Sequence, residues 1–313
     1  MRMYLAGEWV ERAAKIAVLN PYDGSTVDSV PSASLDDVEK ALASAEAGAM
    51  AMASLTAHER YAVLHRAADL LVERSEEIAQ TITLEEGKIL AEARVEVQRA
   101  VQTITVSAEE AKRLYGETVP LDAAPSTMGQ LGFTLRVPCG VVVAISPFNF
   151  PLNLVCHKVG PALAAGNAVI VKPASGTPLT ALKLVEILLE AGLPPTGVQA
   201  LTGPGGVIGD ALCGDPRVRK ITFTGSQEVG EHICQVAGMK KITMELGSNC
   251  PLIVMPDADL EKVARATVAS GYANAGQVCI STQRVLVAGA VYGGFLGALK
   301  PMVEGITTGN PME

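Results

Sequence analysis

Gly140-Val141-Val142-Val143-Ala144-Ile145-Ser146-Pro147-Phe148-Asn149-Phe150-Pro151 marks a change of rhythm in this chain. A short run of β-branched and small apolar residues passes into a polar turn stiffened by two prolines. That pattern predicts a buried strand delivering a loop. The pattern then repeats. Strands are expected over 141–146, 168–172, 199–202 and 220–224, with helices over 153–165, 179–191, 206–213 and about 227–236. Continuous apolar strands alternating with helices predict an α/β fold whose parallel sheet is covered on both faces. Right-handed crossovers place the C-terminal ends of such strands on one edge, where ligands bind. Nearly every unusual polar residue in this half of the chain stands at such an end.

Outward from this region, residues 1–31 read as a strand-rich lead-in with a turn cluster at Asn20-Pro21-Tyr22-Asp23-Gly24. Ser34, followed by Asp36 and Asp37, marks a helix start, because a hydroxyl can cap and acids favour the N-terminal dipole. Helices are expected to about 49 and over 57–74, 75–86 and 89–114, with their charged faces read as solvated surface. Residues 116–137 hold Pro120, Pro125, Gly129 and Gly132 and alternate around Phe133, which predicts a β-ribbon. Such a ribbon serves equally as an oligomer contact or a plain surface hairpin. Downstream, strands are expected over 241–246, 252–255 and 284–287. Asp257-Ala258-Asp259-Leu260 should start a helix reaching about Tyr272, and another should cover 292–304. The final Gly309-Asn310-Pro311-Met312-Glu313 is a turn sequence and reads as an interruption.

The 313 residues carry a net charge of −8 with no long basic run, which argues against nucleic acid as the main partner. No run reaches the roughly 18 apolar residues that cross a bilayer, and no signal-peptide core stands at the start. No membrane partner and a cytoplasmic location are therefore expected. Six scattered cysteines without a Cys-x-x-Cys pair read as free thiols, with no metal site. Any one of them is most simply a small buried hydrophobe. Cys279 differs in its setting, since it follows a helical pattern through Gly276-Gln277-Val278, where a glycine leaves room for a substrate.

Four further places carry possible chemistry. Asn149, fixed between prolines, can aim its amide at a developing oxyanion, or it can simply support its own turn. Lys172 leaves a buried strand into Pro173-Ala174-Ser175 and suits a ribose hydroxyl or phosphate, or else is an exposed strand-end lysine. Phe223-Thr224-Gly225-Ser226-Gln227-Glu228-Val229-Gly230 is strand, glycine turn and helix. Its helix N-terminus can receive a pyrophosphate, although the Gly-x-Gly-x-x-Gly signature is absent. Glu245, leaving an apolar strand, can have its pKa raised by poor solvation and act as a base toward water, or it can be a salt-bridged strand-end acid.

Taken together, Pro147-Phe148-Asn149-Phe150-Pro151, Lys172-Pro173-Ala174, Phe223-Thr224-Gly225-Ser226, Glu245-Leu246-Gly247 and Gly276-Gln277-Val278-Cys279 resemble the NAD(P)-dependent aldehyde dehydrogenase superfamily. The resemblance covers the whole chain. It implies a Rossmann-type cofactor domain over 1–115 and 136–246, a β-ribbon oligomerisation arm over 116–135, and the first part of an α/β catalytic domain over 247–313. It also implies Cys279 as nucleophile, Asn149 as oxyanion donor beside the Cys279 N–H, and Glu245 as the base that activates the deacylating water. Cofactor contacts are implied for Ser146, Pro147, Phe148, Lys172, Ala174, Ser175, Gly205, Gly209, Phe223, Thr224, Gly225, Ser226, Val229, Leu246 and Gly247. The implied reaction oxidises an aldehyde to a carboxylic acid with NAD or NADP, through a thiohemiacetal and a thioester on cysteine, in a homodimer or homotetramer.

Three departures from the family pattern matter. Ser175 stands where many NAD-preferring members carry a glutamate that would repel a 2′-phosphate, so NADP becomes an expected cofactor. Ser248 replaces the second glycine of Glu-Leu-Gly-Gly and resembles the lactaldehyde-dehydrogenase-like branch. Val278 stands where some members acting on phosphorylated substrates have arginine. Family members also continue well past this length, so the chain is expected to be either a fragment of a longer gene product or a C-terminally truncated product. Two other readings stay open: a CoA-acylating dehydrogenase, which the presence of Glu245 disfavours, and an inactive cofactor-binding or assembly fragment.

Overall fold

A computed structural model describes residues 1–313. The chain opens with strands β1 (Met3–Leu5), β2 (Glu8–Val10), β3 (Lys15–Leu19) and β4 (Thr26–Pro31), followed by helices α1 (Leu35–Ser54), α2 (Ala57–Glu73), α3 (Ser75–Glu86) and α4 (Leu90–Ala111). A ribbon of β5 (Thr118–Val119) and β6 (Gly132–Phe133) comes next. The alternating region then runs β7 (Val141–Ile145), α5 (Asn153–Ala164), β8 (Ala168–Lys172), α6 (Leu179–Glu190), β9 (Val198–Ala200), α7 (Asp210–Gly214), β10 (Val218–Gly225), α8 (Gln227–Ala237) and β11 (Lys241–Leu246). The rest is β12 (Pro251–Val254), α9 (Leu260–Tyr272), β13 (Arg284–Val287) and α10 (Tyr292–Glu304).

The main sheet has seven strands in the order β11-β10-β7-β8-β9-β1-β2. Neighbours from β11 to β9 are parallel. β1 pairs antiparallel with both β9 and β2, so the lead-in closes one edge of the sheet. From β7 the chain first builds one way through β8 and β9, then returns to β7's other side with β10. That reversal opens a crevice at the C-terminal ends of β7 and β10.

Side-chain alternation divides the core. Val142 and Ala144 of β7 enter one apolar cluster with α2, α4, α5 and α6. Val141, Val143 and Ile145 enter the other, with α1, α7 and α8. Period-two side chains on a sheet with both faces covered account for the continuous apolar runs.

The reading of the early helices' charged faces as solvated needs correction at the α3–α4 corner. Glu85, Glu86, Lys88 and Glu96 are all buried. Glu85 accepts from the amides of Leu179 (2.7 Å) and Thr180 (2.9 Å) at the start of α6. Glu96 accepts from Leu152 (2.9 Å) and Asn153 (3.0 Å) at the start of α5. Neither α5 nor α6 has a side-chain cap of its own, so these distant carboxylates satisfy the orphan N–H groups and the helix dipole. Local caps are simpler: Ser34 caps α1 as expected, Asp37 completes a capping box with it, and Arg12 pairs with Asp37 at 2.5 Å.

The 116–135 segment is exposed and pairs through only Thr118↔Phe133 and Val119↔Gly132, with single 3-10 turns between. β12 and β13 form a separate two-stranded parallel sheet. Ile253, Met255 and Leu286 are exposed there.

Candidate active site

Cys279 lies on a loop whose backbone is unusual. After α9 ends, Asn274 (φ 49), Ala275 (φ 54) and Gly276 (φ 79) are all left-handed. Asparagine tolerates this region and glycine is free in it, but alanine is strained. Gly276 therefore has a backbone reason to be glycine, and a Cβ on it would also meet the Gly271 carbonyl at 3.2 Å.

Two segments far from it in sequence meet on this loop. The Asn149 amide donates to the Gln277 carbonyl at 2.7 Å. The Ser248 hydroxyl donates to the Cys279 carbonyl at 2.7 Å, and the Cys250 thiol reaches the same carbonyl at 3.4 Å. Ser248, noted above only as a departure from a motif, thus ties the exit of β11 to the cysteine's backbone. Asn149 Oδ1 is buried without a partner.

Glu245, next to last in β11, stands opposite Thr224 in the parallel register. It is exposed, so the poor solvation expected for it is not present in this chain. Beneath it, the buried Lys158 ammonium donates to Thr224 Oγ1 at 2.5 Å. Burial pushes the Lys158 pKa down to about 8, while the Glu245 carboxylate pulls it upward.

The other cysteines divide by exposure. Cys156 and Cys213 are buried, and burial pushes both thiols up, Cys213 to about 11. Thiolate is disfavoured at both sites. Cys279 is exposed, as is Cys234 on α8, but only Cys279 sits where an amide and a hydroxyl converge.

A cleft of about 320 Å³ opens at the crevice between β7 and β10. Ile145, Lys172, Gly205, Gly209, Phe223 and Val229 line it. Lys172 is buried with its ammonium bonded only to the Pro173 carbonyl at 3.3 Å, and desolvation lowers its pKa. The Ser146 hydroxyl is buried and unpartnered. An unpaired buried cation and an orphan hydroxyl at a strand edge fit a polyhydroxylated, phosphorylated ligand. Ser175 donates to the Gly203 carbonyl at 3.1 Å. Ser226 caps α8 by accepting from the Val229 amide, so its hydroxyl is engaged while the helix N-terminus stays open to the cleft side. A Cβ at Gly225 would lie 2.4 Å from the Phe223 ring, so the neighbouring ring already demands glycine there. Leu246 packs beneath Gly230, and Gly247 is exposed beyond it. Ala174 is half-buried in the loop after β8, and Pro147 and Phe148 precede Asn149 in the turn after β7. No group of three or more His, Cys, Asp or Glu side chains is placed to hold a metal ion. No helix is long and apolar enough to cross a membrane.

The buried acid Glu86 makes a testable contribution. Its Oε1 accepts from the Asn274 amide side chain at 2.8 Å and its Oε2 has no partner. Burial pushes its pKa from 4.5 up to about 7, with Lys88 opposing the shift. The folded chain holds this proton more tightly than the unfolded chain, so the contribution is full below about pH 4.5 and lost as pH rises through about 7. The Tm of Glu86→Gln is therefore expected to gain on wild type between pH 5 and pH 8. A gap that stays constant with pH would contradict this.

The sequence profile of the aldehyde dehydrogenase family matches residues 9–313. The chain is 49% identical over 311 residues to 3-sulfolactaldehyde dehydrogenase of Priestia aryabhattai, covering 99% of this chain and 65% of that protein. It is 38% identical over 315 residues to lactaldehyde dehydrogenase of Methanococcus aeolicus, covering 99% and 66%. Among solved structures, an NADP-dependent glyceraldehyde-3-phosphate dehydrogenase from Bacillus halodurans, complexed with NADP, superposes with a TM-score of 0.97 at 38% identity, covering 99% of this chain and 66% of that one. The chain thus spans about 65% of the length of the first of these relatives. With the profile matched almost end to end and the fold reproduced at this level, the chain belongs to the aldehyde dehydrogenase family.

Proposed function

We propose that this chain carries the nucleophile and the cofactor-binding groups of an enzyme that oxidises an aldehyde to a carboxylic acid with NADP or NAD. The observation that carries the proposal is the convergence of Asn149, the Ser248 turn and Cys279 on one strained loop. In this reading, residues 1–115 and 136–246 form the cofactor unit and 247–313 present the thiol. The Cys279 thiolate adds to the aldehyde carbon. Asn149, released from the Gln277 carbonyl, and the Cys279 N–H donate to the oxyanion that forms. A donor of this kind lowers the barrier by about 3 kcal/mol. The bound dinucleotide supplies the hydride acceptor. Cys279 then holds the acyl group as a thioester, and Glu245 takes the proton of the water that releases the acid.

Lys172, Ser146, Gly205, Gly209 and the start of α8 at Gly225-Ser226 would hold the dinucleotide, since they border the cleft or stand at its strand ends. Ser175 presents no carboxylate to a 2′-phosphate, which favours NADP. Ser175→Glu is expected to raise the KM for NADP by about tenfold or more and to leave that for NAD little changed, because it places like charges together. Unchanged NADP kinetics would remove Ser175 from cofactor choice.

An acidic aldehyde is the substrate class we favour. Several similar proteins are named for such substrates, among them 3-sulfolactaldehyde and succinate-semialdehyde dehydrogenases. A second cavity of about 360 Å³ begins four residues beyond Asn149 and is lined by Arg99, Gln102, Thr103, Asn153 and His157. The Arg99 cation and the polar side chains on its wall suit an anionic tail better than an alkyl chain. Cytoplasmic placement and homo-oligomers joined through the 116–135 ribbon belong to the same reading, the latter supported by exposed Leu131, Phe133 and Leu135.

An aldehyde panel that includes acidic and neutral members, with and without coenzyme A, tests the reading through NADPH or NADH formation. Acid-forming turnover independent of coenzyme A is expected. Turnover only with coenzyme A would replace it with an acylating reaction. Glu245→Gln should keep a single burst of reduced cofactor and stall as an acyl-enzyme visible by mass. Full steady-state turnover in that variant would exclude Glu245 as the base.

A further inference from the structure

We propose that the α3–α4 corner, Glu86-Gly87-Lys88, is a positioning element that locks the Asn149 turn and the Asn274 turn onto each other. It would thereby fix the spacing between the oxyanion donor and the nucleophile loop. The proposal rests on the reading of Asn149 and Cys279 given above.

The contacts run from one short corner to both turns. On one side, the Lys88 ammonium, its side chain 1% exposed, donates to the Asn149 carbonyl and to Glu96 Oε2, each at 2.6 Å. It also stands 3.8 Å over the Phe150 ring. The other oxygen of Glu96 accepts from the Leu152 and Asn153 amides, so one ion pair holds the turn at its carbonyl and at its exit. On the other side of Gly87, Glu86 accepts from the Asn274 side chain at 2.8 Å, and Glu92 accepts from the Asn274 backbone amide at 3.0 Å. The two halves meet where Asn274 Nδ2 approaches the Asn149 carbonyl at 3.4 Å.

Two physical arguments give this arrangement a purpose beyond stability. Buried charges of this kind are often no better for stability than apolar packing of the same volume, and what they add is a defined geometry. The left-handed Ala275 is strained, and such a backbone persists only where its surroundings over-determine it. Released, the loop would relax and carry with it the Gln277 carbonyl that Asn149 contacts, and Cys279 two residues on.

Hydrogen exchange read by mass spectrometry on peptides 147–154 and 272–283 tests the coupling in this chain. The variants are Glu86→Ala, Glu86→Gln, which keeps an acceptor oxygen, and Asn274→Gly, which keeps the left-handed backbone but loses the amide. Thermal melts confirm that each folds. Glu86→Ala and Asn274→Gly are expected to speed exchange about tenfold in both peptides, the upper end of the usual scale for losing one hydrogen bond. Glu86→Gln should restore protection. Glu86 makes no hydrogen bond to residues 147–154, so acceleration confined to 272–283, or a Gln variant that behaves like Ala, would overturn the proposal. With an accepted aldehyde, kcat of Glu86→Ala should fall about tenfold with the cofactor KM unchanged, and wild-type kcat in that variant would also overturn it. If wild type oxidises no aldehyde, the functional reading fails, and the exchange coupling between the two peptides alone decides whether the corner is a lock.

Discussion

Cys279→Ala is expected to lower aldehyde-dependent formation of reduced cofactor by at least about 10⁴-fold, because removing a covalent nucleophile leaves only binding and electrostatic assistance. The loss should include the first turnover, so no burst remains. Cofactor affinity should stay within about twofold of wild type, since Cys279 does not border the cleft lined by Lys172, Phe223 and Val229. Site-resolved alkylation makes the result specific. Wild type should be labelled at Cys279 and Cys234, which are exposed, and not at Cys156 or Cys213, whose thiols are buried. The most informative alternative is Cys250. Its sulfur lies 3.4 Å from the Cys279 carbonyl, in the same loop cluster. If Cys279→Ala retained a burst and the acyl group were found on Cys250, the nucleophile assignment would move by one strand and Ser248 would become its nearest hydroxyl, at 2.8 Å.

Much of this molecule can be read from its sequence wherever the controlling interaction is local. Period-two apolar strands, the Ser34 capping box and the helices after β7, β8 and β10 all follow from neighbours a few residues apart. The polar turn after β7 and the strand-end position of Lys172 follow from topology once the parallel sheet is accepted. What the sequence hides is long-range. Glu85 and Glu96 look like surface acids on amphipathic helices, yet each supplies the start of a helix more than fifty residues away. Nothing local distinguishes a carboxylate that caps another helix from one that faces water. β1 reads as part of a lead-in because three apolar residues do not announce a sheet edge, and its partner β9 stands nearly two hundred residues on. Ser248 reads as a motif variation, and its contact with the Cys279 carbonyl emerges only when the exit of β11 and the loop after α9 are brought together. The left-handed run through Asn274 and Ala275 is likewise invisible, since only Gly276 carries a compositional signal for it.

Lys88→Met is expected to destabilise the chain by about 3–5 kcal/mol, the range for leaving one partner of a buried ion pair uncompensated. The Lys88 and Glu96 side chains are 1% and 0% exposed, so water cannot replace the lost ammonium. Methionine nearly preserves volume, so the effect reports the lost charge, its hydrogen bonds and its contact with the Phe150 ring more than a cavity. Urea titration of wild type and variant at pH 7 gives the magnitude. Adding Glu96→Leu should not restore wild-type stability. It removes the stranded charge but also strips the Leu152 and Asn153 amides of their acceptor at the start of α5. The double variant should therefore fall between Lys88→Met and wild type. A Lys88→Met deficit below about 1 kcal/mol would mean that the Lys88–Glu96 pair adds little to what the α5 amides already give Glu96.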